Sequence, residues 1–92
     1  MLLQIVVAPG CRGCEEALRL GDAVRRWFPT LAVEVIEIGG AQPVPSAVFA
    51  TPTHLLEGKI FSLGNPRPAR LCAELRRRLA SASPEATVRR SG

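Results

Sequence analysis

The chain opens with an apolar run, Leu2 to Ala8, centred on Ile5, Val6 and Val7, that stops at Pro9-Gly10. Such a run reads as a strand covered on both faces. From about Cys11 the pattern turns helical, with Cys14, Ala17, Leu18, Gly21, Val24 and Phe28 recurring every three or four residues. Glu15 and Glu16 fall in the first turn and Arg25 and Arg26 in the last, which suits the helix dipole, and Pro29 ends the pattern. Leu31 to Ile38, rich in Val and Ile and bounded by Gly39-Gly40, is a second strand. A helix of this length permits a right-handed crossover, so the two strands are expected side by side and parallel. An α/β fold follows.

The rest of the chain completes a sheet. Gly39 to Pro45 is a loop with two glycines and two prolines, and Ser46 to Ala50 has room for a turn or so of helix. Thr53–Leu56 and Ile60–Leu63 flank Glu57-Gly58-Lys59 and read as a hairpin. Pro68 suits a first helical position, with Leu71, Cys72, Leu75 and Leu79 on one face of a last helix. The expected order is βαβ followed by ββα: a four-stranded mixed sheet flanked by helices. With 92 residues, 47% of them hydrophobic, the chain can bury one core, so residues 1–80 are read as a single domain and 81–92 as a flexible C-terminal tail. The four aromatics, Trp27, Phe28, Phe49 and Phe61, leave that core to Leu, Val, Ile and Ala.

Charge is uneven. Residues 1–50 hold four Arg against five Asp or Glu, net −1, while residues 51–92 hold eight Lys or Arg against three Glu, net +5. The basic clusters Arg76–Arg78 and Arg89–Arg90 lack interleaved aromatics and any nucleic-acid motif, so they read as solvated surface, with no nucleic-acid partner expected. Met1 to Ala8 is too short for a signal peptide and has no basic flank, and no stretch approaches the ~20 apolar residues of a membrane span. With an odd number of cysteines, three, a reducing compartment is expected: the chain reads as soluble and cytoplasmic, with no membrane partner.

The chemistry lies in Cys11-Arg12-Gly13-Cys14, directly after the first strand and at a helix start. The spacing puts two sulfurs within disulfide reach. At a helix N-terminus, unpaired amides and the dipole stabilise a thiolate, and Arg12 adds a positive charge. Cys11, at the outer end, is the expected attacking thiol; Cys14, one turn in and better covered, is the expected resolving partner. Two cysteines supply only half of a closed zinc site, and Cys72 and His54 have no finger-like spacing to complete it. Zinc, an iron–sulfur cluster and an inert pair remain open beside redox exchange.

With Cys11-Arg12-Gly13-Cys14 after the first strand, Val48-Phe49-Ala50-Thr51-Pro52-Thr53 before the third, and Glu57-Gly58-Lys59 ahead of a last helix, the chain resembles the small thioredoxin-fold proteins of the glutaredoxin size class over residues 2 to 80. The resemblance implies a thioredoxin-like fold whose second helix is shortened or absent. It also implies a cis-proline at Pro52 packed beside the cysteines, and a Thr51 backbone that pairs with an extended substrate. Ile5 stands where thioredoxins carry a buried carboxylate, Gly10 where they carry an aromatic, and Arg-Gly where they carry Gly-Pro. Val35-Ile36-Glu37-Ile38 with Ala50-Thr51-Pro52-Thr53 is also similar to KaiB-like clock proteins, which act by binding partners and lack the cysteine pair.

Beyond the motif, Cys72 reads as a small core residue and Trp27 and Phe28 as core. His54 reads as a hydrogen-bonded strand histidine rather than a proton-transfer group, and Glu37 as a solvated strand end. The expected activity is thiol–disulfide oxidoreduction without a bound cofactor, on a protein or small-molecule disulfide, with a thiol or reductase as electron donor. The alternatives are a non-enzymatic partner-binding module and a metal or iron–sulfur protein.

Overall fold

A computed structural model describes residues 1–81. It is an α/β structure: β1 (Leu2–Val7), α1 (Cys14–Trp27), β2 (Ala32–Glu37), β3 (Thr53–Leu56), β4 (Lys59–Leu63) and α2 (Pro68–Ser81). The four strands form one mixed sheet in the order β2-β1-β3-β4. β1 and β2 run parallel, from Leu2 beside Ala32 to Val7 beside Glu37. β3 is antiparallel to both β1 and β4. Among the described residues no helix is long and apolar enough to cross a membrane.

The alternation of β1 divides the core in two. Leu3, Ile5 and Val7 join Cys14, Ala17, Leu20 and Val24 of α1, and Leu71 and Leu75 of α2, in one cluster. Burying each fully enclosed Leu or Ile contributes about 1.5–3 kcal/mol. On the other side, Val6, Ile36 and Leu55 pack with Val44 and Val48, and neither helix contributes. The helices therefore do not flank the sheet; the segment between β2 and β3 covers the second side. That segment contains two turns, Ile38-Gly39 with Gly40 N–H bonded to the Glu37 carbonyl and Ser46-Ala47 with Val48 N–H bonded to the Pro45 carbonyl, and no helix.

α1 sits unusually close to β1 because of Gly21. A Cβ built there falls 2.9 Å from Ile5 Cδ1, nearer than ordinary carbon contact of about 3.5–4.0 Å. In the hairpin the turn is Glu57-Gly58, with φ +52° and +80°, and Lys59 belongs to β4 opposite Leu56. Both angles have the sign required by a type I′ turn, which matches the strand twist.

Several expectations are corrected. α1 begins at Cys14 rather than Cys11, because Gly13 takes a left-handed φ of +83° that no helix can include. Leu18 is 41% exposed while Leu20 is buried, and Trp27 is 44% exposed, off the stripe that ends with Val24 and Phe28. Ser81 closes α2 instead of starting a tail. The rest of the expected tail, 82–92, with Arg89 and Arg90, lies outside the described residues.

Candidate functional site: a cysteine pair at the start of α1

β1 ends at Val7 and the chain turns through Ala8-Pro9-Gly10, with Cys11 N–H on the Ala8 carbonyl at 3.3 Å. Gly13 follows as the cap residue of α1, and its carbonyl accepts the Ala17 N–H at 2.9 Å. Gly13 supplies the left-handed conformation that a side chain would resist by about 1–2 kcal/mol. The turn brings Cys11 and Cys14 to a Cα separation of 5.5 Å, and they are joined as a disulfide.

The two sulfurs differ in cover. Cys14, the first residue of α1, is only 6% exposed and belongs to the helix-side core. Cys11 is half-buried at the surface, its Sγ 3.2 Å from the Arg12 carbonyl oxygen. It opens onto a cleft of about 630 Å³ bordered by Pro9, Arg12, Glu15, Leu18 and Glu37. Arg12 is exposed between the cysteines, and Glu37 is exposed at the end of β2 on the cleft's far side.

The segment before β3 reaches the same place from another direction. Thr51–Pro52 is a cis peptide, and Pro52 is buried with its ring against Gly13: a Cβ built on Gly13 would lie 3.8 Å from Pro52 Cδ. Thr53 Oγ1 donates to the Ala50 carbonyl at 2.6 Å, and Gly64 N–H donates to the Pro52 carbonyl at 2.8 Å. The structure thus gathers Cys11, Arg12, Cys14, Thr51 and Pro52, five residues singled out in the sequence, at one end of the sheet. Cys72 is not among them; it is a half-buried free thiol on α2.

Sequence reasoning missed Asn65. It is exposed just after β4, and its side chain bridges two partners: Nδ2 donates to the Gly13 carbonyl at 2.9 Å, and Oδ1 lies 3.0 Å from His54 Nε2. His54 is completely buried, and burial lowers its pKa below the ordinary histidine value, opposed by the Asn65 hydrogen bond. The sequence signal available at Asn65 is its place between Gly64 and Pro66, where the chain leaves β4.

Among the described residues no group of three or more His, Cys, Asp or Glu is arranged to hold a metal ion. The pair in hand can do what a surface disulfide backed by a covered sulfur does: accept attack at the exposed sulfur and release the inner one. No protein-family model matches this chain, and no curated protein matches it either.

Proposed function

We propose that the protein is a thiol–disulfide oxidoreductase with a thioredoxin-like arrangement, Cys11 attacking and Cys14 resolving. The observation that carries this reading is the unequal exposure of the bonded pair, both of which line the cleft: Cys11 is half-buried at the surface while Cys14 is 6% exposed in the first turn of α1. Support also comes from the cis Thr51–Pro52 bond beside the motif and from the strand order with two helices on one side.

In the dithiol form, the Cys11 thiolate attacks one sulfur of a substrate disulfide. A substrate thiolate leaves and a mixed disulfide remains on Cys11. Cys14 gives up its proton and attacks Cys11 Sγ, expelling the second substrate thiolate and closing the Cys11–Cys14 bond. Two electrons pass from the protein dithiol to the substrate, and a thiol donor returns them. The start of α1 and Arg12 favour the Cys11 thiolate as attacker and leaving group. Thr51, half-buried beside Pro52, offers backbone groups to an extended substrate chain lying over the cleft. No bound cofactor is needed.

Trapping in cell extract tests this. Cys14→Ser should accumulate mixed disulfides through Cys11 that a dithiol releases, and Cys11→Ser should trap far less. Cys72→Ser should leave trapping and disulfide-reductase turnover unchanged. Equal partner recovery from all three variants, insensitive to dithiol, together with no reductase turnover by the unmodified protein, would replace the oxidoreductase with a partner-binding module.

A further inference from the structure

His54 is a buried polar group that the exchange chemistry does not use. It sits between Ile5 of β1 and Ser62 of β4, with no exposed surface. Its one side-chain hydrogen bond among the described residues runs from Nε2 to Asn65, and Asn65 continues to Gly13. The direction of this chain is fixed by its far end. A carbonyl only accepts, so Asn65 must present its NH₂ to Gly13 and its oxygen to His54. The ring proton is therefore on Nε2, and Nδ1 is a bare lone pair, buried and without a hydrogen-bond partner among the described residues. The histidine has one workable tautomer, and it holds the Asn65 amide in one orientation.

The chain ends on the hinge of the motif. Gly13 carries the left-handed turn between Cys11 and Cys14, and its carbonyl already accepts the first helical N–H, from Ala17. Asn65 is the one side chain among the described residues that bonds to this turn from elsewhere in the fold, across 52 positions of sequence. Two restraints thus order the same few residues: a covalent one, the disulfide, and a hydrogen-bonded one.

We propose that Asn65, oriented by His54, is a positioning residue for the redox pair, holding the Gly13 turn in disulfide-closing geometry when the Cys11–Cys14 bond is open. This rests on the reading that the pair cycles between disulfide and dithiol. Restraints on one segment are cooperative, because whichever forms first removes the conformational freedom the other must overcome. The Asn65 bond is therefore worth more in the disulfide form, whose turn is already closed, than in the dithiol form, where forming it must also order a glycine hinge. By reciprocity, its presence favours closure by the same factor. A difference between two states cannot exceed the whole net worth of such a bond, which caps the effect at roughly tenfold in the thiol–disulfide equilibrium constant.

The test is a redox titration of the full chain against glutathione at neutral pH. The protein disulfide takes two electrons and two protons from two glutathione thiols, which leave joined as glutathione disulfide. Asn65→Ala, at an exposed position, should move the equilibrium toward the dithiol by up to roughly tenfold, a shift to less negative potential that ~30 mV per decade caps at about 30 mV. His54→Leu should move it the same way, and His54→Gln, which keeps a donor for Asn65, should lie between His54→Leu and the unmodified protein. Urea unfolding of both redox forms closes the cycle: Asn65→Ala should destabilise the disulfide form more than the dithiol form by the same factor. Equal destabilisation of the two forms, with the glutathione equilibrium unmoved, makes Asn65 merely structural and overturns the proposal. Glutathione needs no cellular substrate, so failure of the trapping experiment and failure here are separate results.

Discussion

The close approach of α1 to β1 can be tested by a two-residue cycle. Gly21→Ala places a methyl 2.9 Å from Ile5 Cδ1, so that terminal carbon, the end of a fully buried side chain, must shift within the packed core. Overpacking of this kind costs about 1–3 kcal/mol, against ~1 kcal/mol gained by replacing glycine with alanine inside a helix. The clash wins, and Gly21→Ala should destabilise by about 1 kcal/mol. Ile5→Val removes the obstructing carbon and leaves a methyl-sized void, again costing about 1 kcal/mol. In the double variant the alanine methyl occupies that void, so clash and cavity disappear together. With both penalties gone and the ~1 kcal/mol helix gain retained, its stability should exceed that of the unmodified protein by about 1 kcal/mol, a coupling of about 3 kcal/mol. Urea unfolding of the disulfide forms with a shared m-value resolves this difference. Additive losses would show that helix and strand do not meet at Gly21, and the account of how Cys14 is held at the top of α1 would fall with it.

Two further outcomes follow from the same geometry. Gly13→Ala forces a side chain into φ +83° and brings its Cβ 3.4 Å from Asn65 Nδ2, so calorimetry or urea unfolding should record a loss of about 1–2 kcal/mol; a neutral result would mean that the turn is not left-handed. Burial lowers the His54 pKa, so the unfolded chain binds this proton more readily than the folded one: stability should fall as pH drops below about 6.5, by at most ~1.4 kcal/mol per pH unit, down to the lowered folded value. His54→Gln should flatten that part of the stability profile, and an unchanged slope in the variant would assign it to other groups.

Much of this architecture was legible because its signals are local. The apolar run of β1, the breaks at Pro9-Gly10 and Pro29, the hairpin and the start of α2 at Pro68 each depend on a few neighbouring residues. The buried side of α1 was less so. Leu18 and Leu20 lie on opposite flanks of the stripe Cys14-Ala17-Gly21-Val24, and only the tertiary packing, which draws Leu20 into the core, decides between them. Cys11 and Cys14 were found from spacing and position, whereas Asn65 was not, since its contacts with His54 and Gly13 are fixed by the meeting of β3, β4 and α1. His54 was legible as a hydrogen-bonded strand residue; its complete burial reflects the central place of β3, which no single-strand pattern reveals.

The unequal cover of the sheet sets a hierarchy of opening events. On one side, two helices of fourteen residues each lock Leu3, Ile5 and Val7 behind continuous backbone hydrogen bonds. On the other, Val6, Ile36 and Leu55 are shielded by Val44 and Val48, carried on a segment whose own backbone bonds are sparse: Gly40 N–H to Glu37 and Val48 N–H to Pro45. Segments of that kind open at low free energy, well before the helices yield. Amide protons along residues 40–50 should therefore exchange with solvent water orders of magnitude faster than those of β1 and β3. The segment runs directly into Thr51-Pro52, whose proline ring packs against Gly13 between the two cysteines, so its breathing ends at a contact with the cysteine turn. The molecule is in this sense stiff on the face that carries the disulfide and soft on the opposite one, with fluctuation confined to residues 40–50.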